Sequence, residues 1–434
     1  MSGSPRRGVL RLLLFAAACL VGTGLWWLHG ELDAQVRLSR AAPPRAGTSP
    51  LAAWPPAQQA DAVRASQTIP QVSTDVSTPG PTPSRAAGPN EFPICGDQPL
   101  ARDRLERLYA GGKEWLPLRP DLLAVAQALA GGDDLARGVA ILLEAEISDH
   151  GVGFDERQRA AIVELALASR DADLWLLAWR LCGYGKSGVS DACGRIDMPG
   201  WVERDPGNGA PWLWLAQREA EAGNTQGVDE AMYRLSQSRF VDPRWHGLMR
   251  VQSHPALAPE RGLPALLASV WLTGLQVATA TPSYRVLTTY CAPGALLQAN
   301  RRLRCDDIAT VMTTSGRTQM DLMFGHLVAR HLGWHAERLQ VLQDFRDAAR
   351  LPEVAMGDGR RSFDFMADLS SCEARRAWID WMGELGLHGE TEVLRRRIAA
   401  SGMTLAQAGA KGRAQQAAWA ASAPQSASSS PARP

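Results

Sequence analysis

His326, His331 and His335 are the closest-spaced histidines in the chain, and the last two stand four residues apart, the spacing at which two imidazoles on one helix face can hold a metal. Gly333 and Trp334 lie between them, and Gly333 is a helix terminator, so the pair is expected on two successive helices. No H-E-x-x-H pattern accompanies them and no carboxylate is placed as a base, so they read as structural histidines, as do His246 and His254. Gly185-Lys186-Ser187 has the ending of a phosphate-binding loop, but the first glycine of that motif would fall on Arg180, and no strand precedes it. A glutamate before a serine would mark a glycan-cleaving acid, yet Gln252 precedes Ser253, and an amide has no proton to give a glycosidic oxygen. The acid pairs Asp133-Asp134 and Asp306-Asp307 sit at expected helix starts and read as caps. Arg395-Arg396-Arg397 follows Glu390 and Glu392 on one expected helix, which suits a solvated, salt-bridged face better than a nucleic-acid patch. No G-x-S-x-G occurs, and no cysteine has a neighbouring histidine to activate it. The sequence therefore nominates no catalytic, cofactor-binding or metal-binding residue.

Cysteine chemistry is the exception. Cys19 lies in an apolar opening segment, which leaves Cys95, Cys182, Cys193, Cys291, Cys305 and Cys372. In an oxidising compartment an even set is first read as three disulfides, out of 15 possible pairings, with free buried thiols as the alternative. Locality favours Cys182 with Cys193 and Cys291 with Cys305, each pair bracketing a loop that carries Gly or Pro, and leaves Cys95 for Cys372. No C-x-x-C is present, so zinc is disfavoured.

The compartment follows from the opening segment. Leu12 to Leu28 reads LLLFAAACLVGTGLWWL, and extended back to Gly8 it would span about 31 Å as a helix, the thickness of a bilayer core. Arg6, Arg7 and Arg11 precede it and Trp26-Trp27 close it, which places the amino end in the cytoplasm and the remainder across the membrane. An uncleaved anchor is the favoured reading because the apolar run is longer than that of a cleaved signal peptide; cleavage or lipidation would export the chain equally. Of 46 basic residues only Lys113, Lys186 and Lys411 are lysines, and with the abundant Ala this arginine bias suggests GC-rich bacterial codons and hence a periplasm. The 434 residues carry 46 Lys plus Arg against 45 Asp plus Glu, a balance that excludes whole-chain attraction to nucleic acid.

Residues 41–94 hold 11 of the 28 prolines and show no apolar periodicity, so residues 29–94 read as a disordered spacer. Residues 404–434, ending AASAPQSASSSPARP, read as a second disordered, solvated tail. The domain between them, 95–403, is helical in pattern throughout. DLLAVAQALAGG stops at a Gly pair, Asp133-Asp134 open LARGVAILLEAEISDHG, and similar signals bound DERQRAAIVELALASR, DADLWLLAWRLCG, TQGVDEAMYRLSQSRF, TQMDLMFGHLVARHLG, HAERLQVLQDFRDAAR and SCEARRAWIDWMGELG. Trp175, Trp179, Trp212, Trp214, Trp378 and Trp381 fall at helical spacings, as core residues do. The expected class is all-α, with short connections joining antiparallel helix pairs.

Ala210 to Leu235, APWLWLAQREAEAGNTQGVDEAMYRL, resembles a tetratricopeptide or Sel1-like helix-turn-helix unit, with Trp212, Leu215, Ala216 and Gly223 at that motif's aromatic, leucine, small and turn positions. Glu219 and Val228 depart from it, where the motif prefers an aromatic and Ala. Trp175 begins a comparable helix 37 residues earlier. The resemblance implies a stacked, repeat-like solenoid whose concave surface binds proteins or peptides. The combined expectation is a single-pass inner-membrane protein, residues 1–7 cytoplasmic and 8–28 spanning, that displays this domain in the periplasm as an interaction module for an envelope partner. A cell-envelope hydrolase on a helical scaffold and a periplasmic chaperone or maturation factor are the alternatives.

Overall fold

The structure, a computed structural model, describes residues 88, 90–101, 103–104, 108, 117–149, 156–183, 191–279, 281–351, 354 and 371–422. The expected membrane segment, most of the spacer and Gly185-Lys186-Ser187 lie outside these residues. Among the described residues no helix is long and apolar enough to cross a membrane.

The described residues are helical apart from a two-stranded antiparallel ribbon, β1 (Glu91–Phe92) with β2 (Leu100–Ala101). Several consecutive helices pack against one another across short turns, and longer connections lead into the helices that begin at Gly262 and Cys372. First come α1 (Arg119–Ala130) with α2 (Asp134–Asp149), and α3 (Glu156–Ala168) with α4 (Ala172–Leu181). The short α5 (Met198–Arg204) leads into the hairpin of α6 (Ala210–Glu221) and α7 (Thr225–Ser236). Then follow the apolar α8 (Gly262–Val277), the short α9 (Arg285–Tyr290), and the hairpin of α10 (Ala299–Ser315) with α11 (Gln319–Leu332). The last four are α12 (Ala336–Ala348), α13 (Cys372–His388), α14 (Glu390–Ala400) and α15 (Leu405–Ser422).

The stops and starts have local causes. Asp133 accepts the Ala136 amide, and Asp171 accepts the Asp173 and Leu174 amides at the start of α4, each satisfying donors that a helix start leaves free. Gly223, at φ 72°, turns α6 into α7, and Asn224 then caps α7. Thr318 and Asp321 form a reciprocal capping box at the start of α11. Gly333 ends α11 in the left-handed region at φ 76° and His335 opens α12, so the two histidines do occupy successive helices.

One continuous apolar core runs from Ile94 through α1–α11 to Leu332, and within it the Trp179 ring meets those of both Trp201 and Trp214. A second cluster joins Leu322, Phe345, Leu351, Leu394, Ile398 and Ala408. The structure joins the cysteines as Cys182–Cys193 and Cys291–Cys305, the two pairs that locality favours, and as Cys95–Cys372, the pair left over. Next to the first of these, Arg375 is fully buried and donates to the carbonyls of Leu257, Pro259 and Gly262, which anchors α13 beneath the entering chain.

Three expectations are corrected. Residues 404–434 are not tail throughout: α15 packs along α12, with Ala408 buried. Small residues permit that approach, because a Cβ on Gly409 would lie 2.7 Å from Asp344 Cα, and one on Gly412 would lie 2.1 Å from the Asp347 carbonyl oxygen. The Arg413 guanidinium then reaches Asp344 at 2.6 Å and Asp347 at 3.1 Å. The spacer ends before residue 94, since β1 pairs with β2 and Ile94 is buried. Asp306-Asp307 stand inside α10 rather than at its start, and Asp306 accepts the Trp334 indole N–H at 2.6 Å.

Because α15 seats on backbone, Gly412→Leu is expected to lower unfolding free energy by about 1–3 kcal/mol and to expose residues 405–422 to limited proteolysis. Unchanged denaturation and digestion would show that α15 tolerates a gap.

Candidate functional site

Two features concentrate chemistry: a buried cluster of acids and arginines, and an apolar cleft. The acid cluster is organised by the segment from Arg239 to His254. Asp205, at the C-terminal end of α5, accepts two bonds from the Arg244 guanidinium, 3.0 Å from Nε and 2.8 Å from Nη2. Asp242 and Asp173 complete the ring around it at 3.6 and 3.7 Å. Arg244 holds a left-handed backbone at φ 56°, a conformation that costs a non-glycine residue on the order of 1–3 kcal/mol and persists where surroundings over-determine it. Asn208 supplies part of that determination, donating to Asp205 and to the Asp242 carbonyl while accepting the amides of Ala210 and Asp242.

Asp173 is the most enclosed member. Its carboxylate is 1% exposed and lies 3.3 Å from Arg250 Nε, while Arg250 also reaches Asp171 at 2.5 Å. Burial pushes the Asp173 carboxyl up to about 6, against the opposing pull of Arg244 and Arg250. Burial works against the charge of Arg244 as well, but Asp173, Asp242 and Asp205 outweigh it and hold that guanidinium above its ordinary value. A carboxyl titrating near 6 has the proton affinity of a general acid, but Gly247 closes over it: a Cβ there would fall 2.3 Å from Asp173 Oδ1. The carboxylate is closed off from solvent, and the cluster ties the loop to α4 and α5. A second buried acid, Asp321, accepts the Tyr284 hydroxyl at 2.6 Å and both the amide and hydroxyl of Thr318; burial lifts it to about 7.

The residues whose types and spacing the sequence put to a chemical test are dispersed. His326 is buried, and burial, then Arg346 and Arg330, push its imidazole down. His331 Nδ1 faces the Cys291 carbonyl at 3.1 Å. Among the described residues no group of three or more His, Cys, Asp or Glu is placed to hold a metal. Gln252 is fully buried and donates to the Ser269 carbonyl and the Thr273 hydroxyl of α8, so the position tested for a glycan-cleaving acid is part of the core. Arg396 pairs with Glu392 on the surface of α14, and the Arg397 guanidinium lies over the Trp381 ring at 5.7 Å from its centroid.

The cleft was not visible in the sequence. It encloses about 390 Å³ between α10, α11, α12 and α14, lined by Leu322, Leu342, Phe345, Ile398, Met403 and Leu405 among others, with Val341 half exposed on its wall. That volume is within the roughly 300–1,000 Å³ range of small-molecule sites. Thr313 also lines it, but its hydroxyl is committed to the Ala309 carbonyl at 2.8 Å. Arg395 is the lining cation: its guanidinium stands 5.6 Å from the Phe345 ring centroid and 3.3 Å from the Thr314 carbonyl oxygen. The sequence holds a partial signal, since Val341, Leu342 and Phe345 share one face of α12, but Leu405 belongs to a stretch whose composition reads as tail.

Comparisons with protein-family models, with curated proteins and with solved structures find no match for this chain.

Raising the Asp173 carboxyl in the native state gives a signed pH effect. The native protein holds that proton to about pH 6 while the unfolded chain releases it near 3.8, so this contribution to stability is full below 3.8 and is lost as pH rises through 6. Between pH 4 and 7 the stability of the wild type relative to Asp173→Asn should fall by about 1–3 kcal/mol in urea melts. Parallel profiles for the two proteins would mean that Asp173 is ionised throughout.

Proposed function

We propose that this chain is a membrane-tethered interaction module: residues 8–28 anchor it, residues 29–90 space it from the bilayer, and the helical domain engages a protein partner in the periplasm or an equivalent oxidising compartment. The observation that carries the interaction reading is the open, apolar cleft at α12 and α14. Apolar surface left open to water on a folded domain is a common mark of a docking site. The three disulfides support the compartment, since such bonds persist where thiols are not kept reduced.

The finer architecture belongs to the same proposal. The α6–α7 hairpin supports a tetratricopeptide- or Sel1-like unit: Trp212, Leu215 and Ala216 are buried and Gly223 makes the turn. The departure at Glu219 has its own use, because its carboxylate accepts the Asn224 side-chain amide at 2.5 Å and steadies the residue that caps α7. The hairpin pairs on either side would then stack as repeat-like units. A chaperone would present a similar apolar cleft and is the second reading. The hydrolase alternative receives no comparable support, because the two acids lifted to about 6 and 7, Asp173 and Asp321, are both buried, the first beneath Gly247 and the second against Tyr284 and Thr318.

Two solvent-facing valines make the test. Val341 on the cleft wall is 54% exposed and Val277 at the end of α8 is 51% exposed. A photo-cross-linking side chain at position 341 should capture a defined protein partner in cells, and the same group at 277 should not. The full-length chain should remain in salt-washed membranes with a carboxyl-terminal tag outside the cytosol. Equal capture at both valines would remove the cleft from the proposal, and a cytosolic tag would remove the tether.

A further inference from the structure

We infer that the occupant of the cleft is an amphipathic α-helix of a partner protein, bearing apolar side chains one turn apart and a carboxylate beside them that pairs with Arg395. This rests on the reading of the cleft as a docking site and names what docks there.

The lining dictates the first part. Leu322, Val341, Leu342, Phe345, Ile398, Ala399, Met403 and Leu405 offer no side-chain hydrogen bond, and the one hydroxyl, that of Thr313, already gives its proton to its own helix. An extended peptide placed against such a wall would bring backbone N–H and C=O groups that these apolar side chains cannot satisfy. A helix arrives with those groups paired internally and presents side chains alone. The shape favours a helix over an acyl chain. Small-molecule sites envelop most of their ligand, whereas this cleft has a half-exposed wall at Val341 and so covers one side of its occupant.

Charge dictates the second part. Arg395 and Arg396 share one carboxylate, that of Glu392, which sits 3.7 Å from Arg395 and 3.0 Å from Arg396. Among the described residues, two guanidiniums on one acid leave a positive excess at the rim, where an incoming Asp or Glu completes the pairing. The Phe345 ring beneath Arg395 and the Thr314 carbonyl beside it hold the guanidinium in place over the cleft, so pairing requires little reordering.

The test is a displayed library of helix-stabilised peptides of about 14 residues, varied at the apolar and charged positions, panned against the oxidised full-length chain in detergent. The expected binders carry apolar residues at i, i+4 and i+7 with an adjacent acid. They lose tenfold or more in affinity to Arg395→Glu and regain it when their acid is changed to Lys. Binders that depend on position 341, being lost to Val341→Arg, but show no helical spacing or ignore the charge exchange would overturn this inference and leave the docking reading in place. Binders indifferent to Val341→Arg, or none at all, would overturn both. Displacement of the binders by decanoate at low micromolar concentration would assign the cleft to acyl chains instead. Both substitutions fall on solvent-facing side chains, and matching thermal melts establish that they leave the fold intact.

Discussion

A guanidinium ringed by carboxylates holds this molecule's centre. Arg244 faces Asp173, Asp205 and Asp242, acids carried by α4, by the end of α5 and by the loop itself. Taking such groups out of water costs several kcal/mol per ion, and the arrangement is stable only because each charge finds an opposite one. Removing Arg244 would leave enclosed acids without their counter-charge, a loss on the order of 3 kcal/mol. The same contacts over-determine the left-handed backbone at Arg244, and the loop that leaves it then carries Gln252 into α8 and presses Arg250 and Ser253 against α13, where Gly386 and Gly383 make room.

From that centre the rest of the architecture becomes a set of attachments. Val241 and Arg317 exchange backbone hydrogen bonds with one another's strand-like segments, tying the loop to the α10–α11 turn. Arg317 then donates to the His388 carbonyl, and Gln319 donates to Glu390, so the same turn receives the junction of α13 and α14. The position of α14, and with it of Arg395 and the cleft, is therefore set by polar contacts some distance from the apolar lining itself.

Much of the helical layout was legible because periodicity and punctuation are local. The Asp133 cap, the Gly223 turn and the Gly333 stop need only neighbours a few residues away to explain them. The disulfide partners were legible for the same reason in two cases and by remainder in the third. What was hidden depends on contacts between distant segments. The helix α8 is apolar around most of its circumference and so shows little periodicity, and α10 begins in a polar, arginine-rich stretch that gives no clear start. The composition of α15 suggests disorder, yet its Ala and Gly are what let it lie against α12. Nothing in the spacing of Asp173, Asp205 and Arg244 announces that they meet, since 39 residues separate the arginine from its closest acid. The cleft inherits this invisibility, being assembled from four helices and the entrance to a fifth.

The Cys95–Cys372 bond has a mechanical consequence. It bridges a sequence separation of 277 residues, at the point where the chain enters the folded domain, and delivers it straight to the first residue of α13. A pull arriving from the amino-terminal side bypasses α1 to α12 and passes through sulfur into α13, whose Arg375 is gripped by three backbone carbonyls. The hairpins between those two cysteines form a covalent ring that carries no tension, so a load able to unravel an open chain of helices would leave this loop slack.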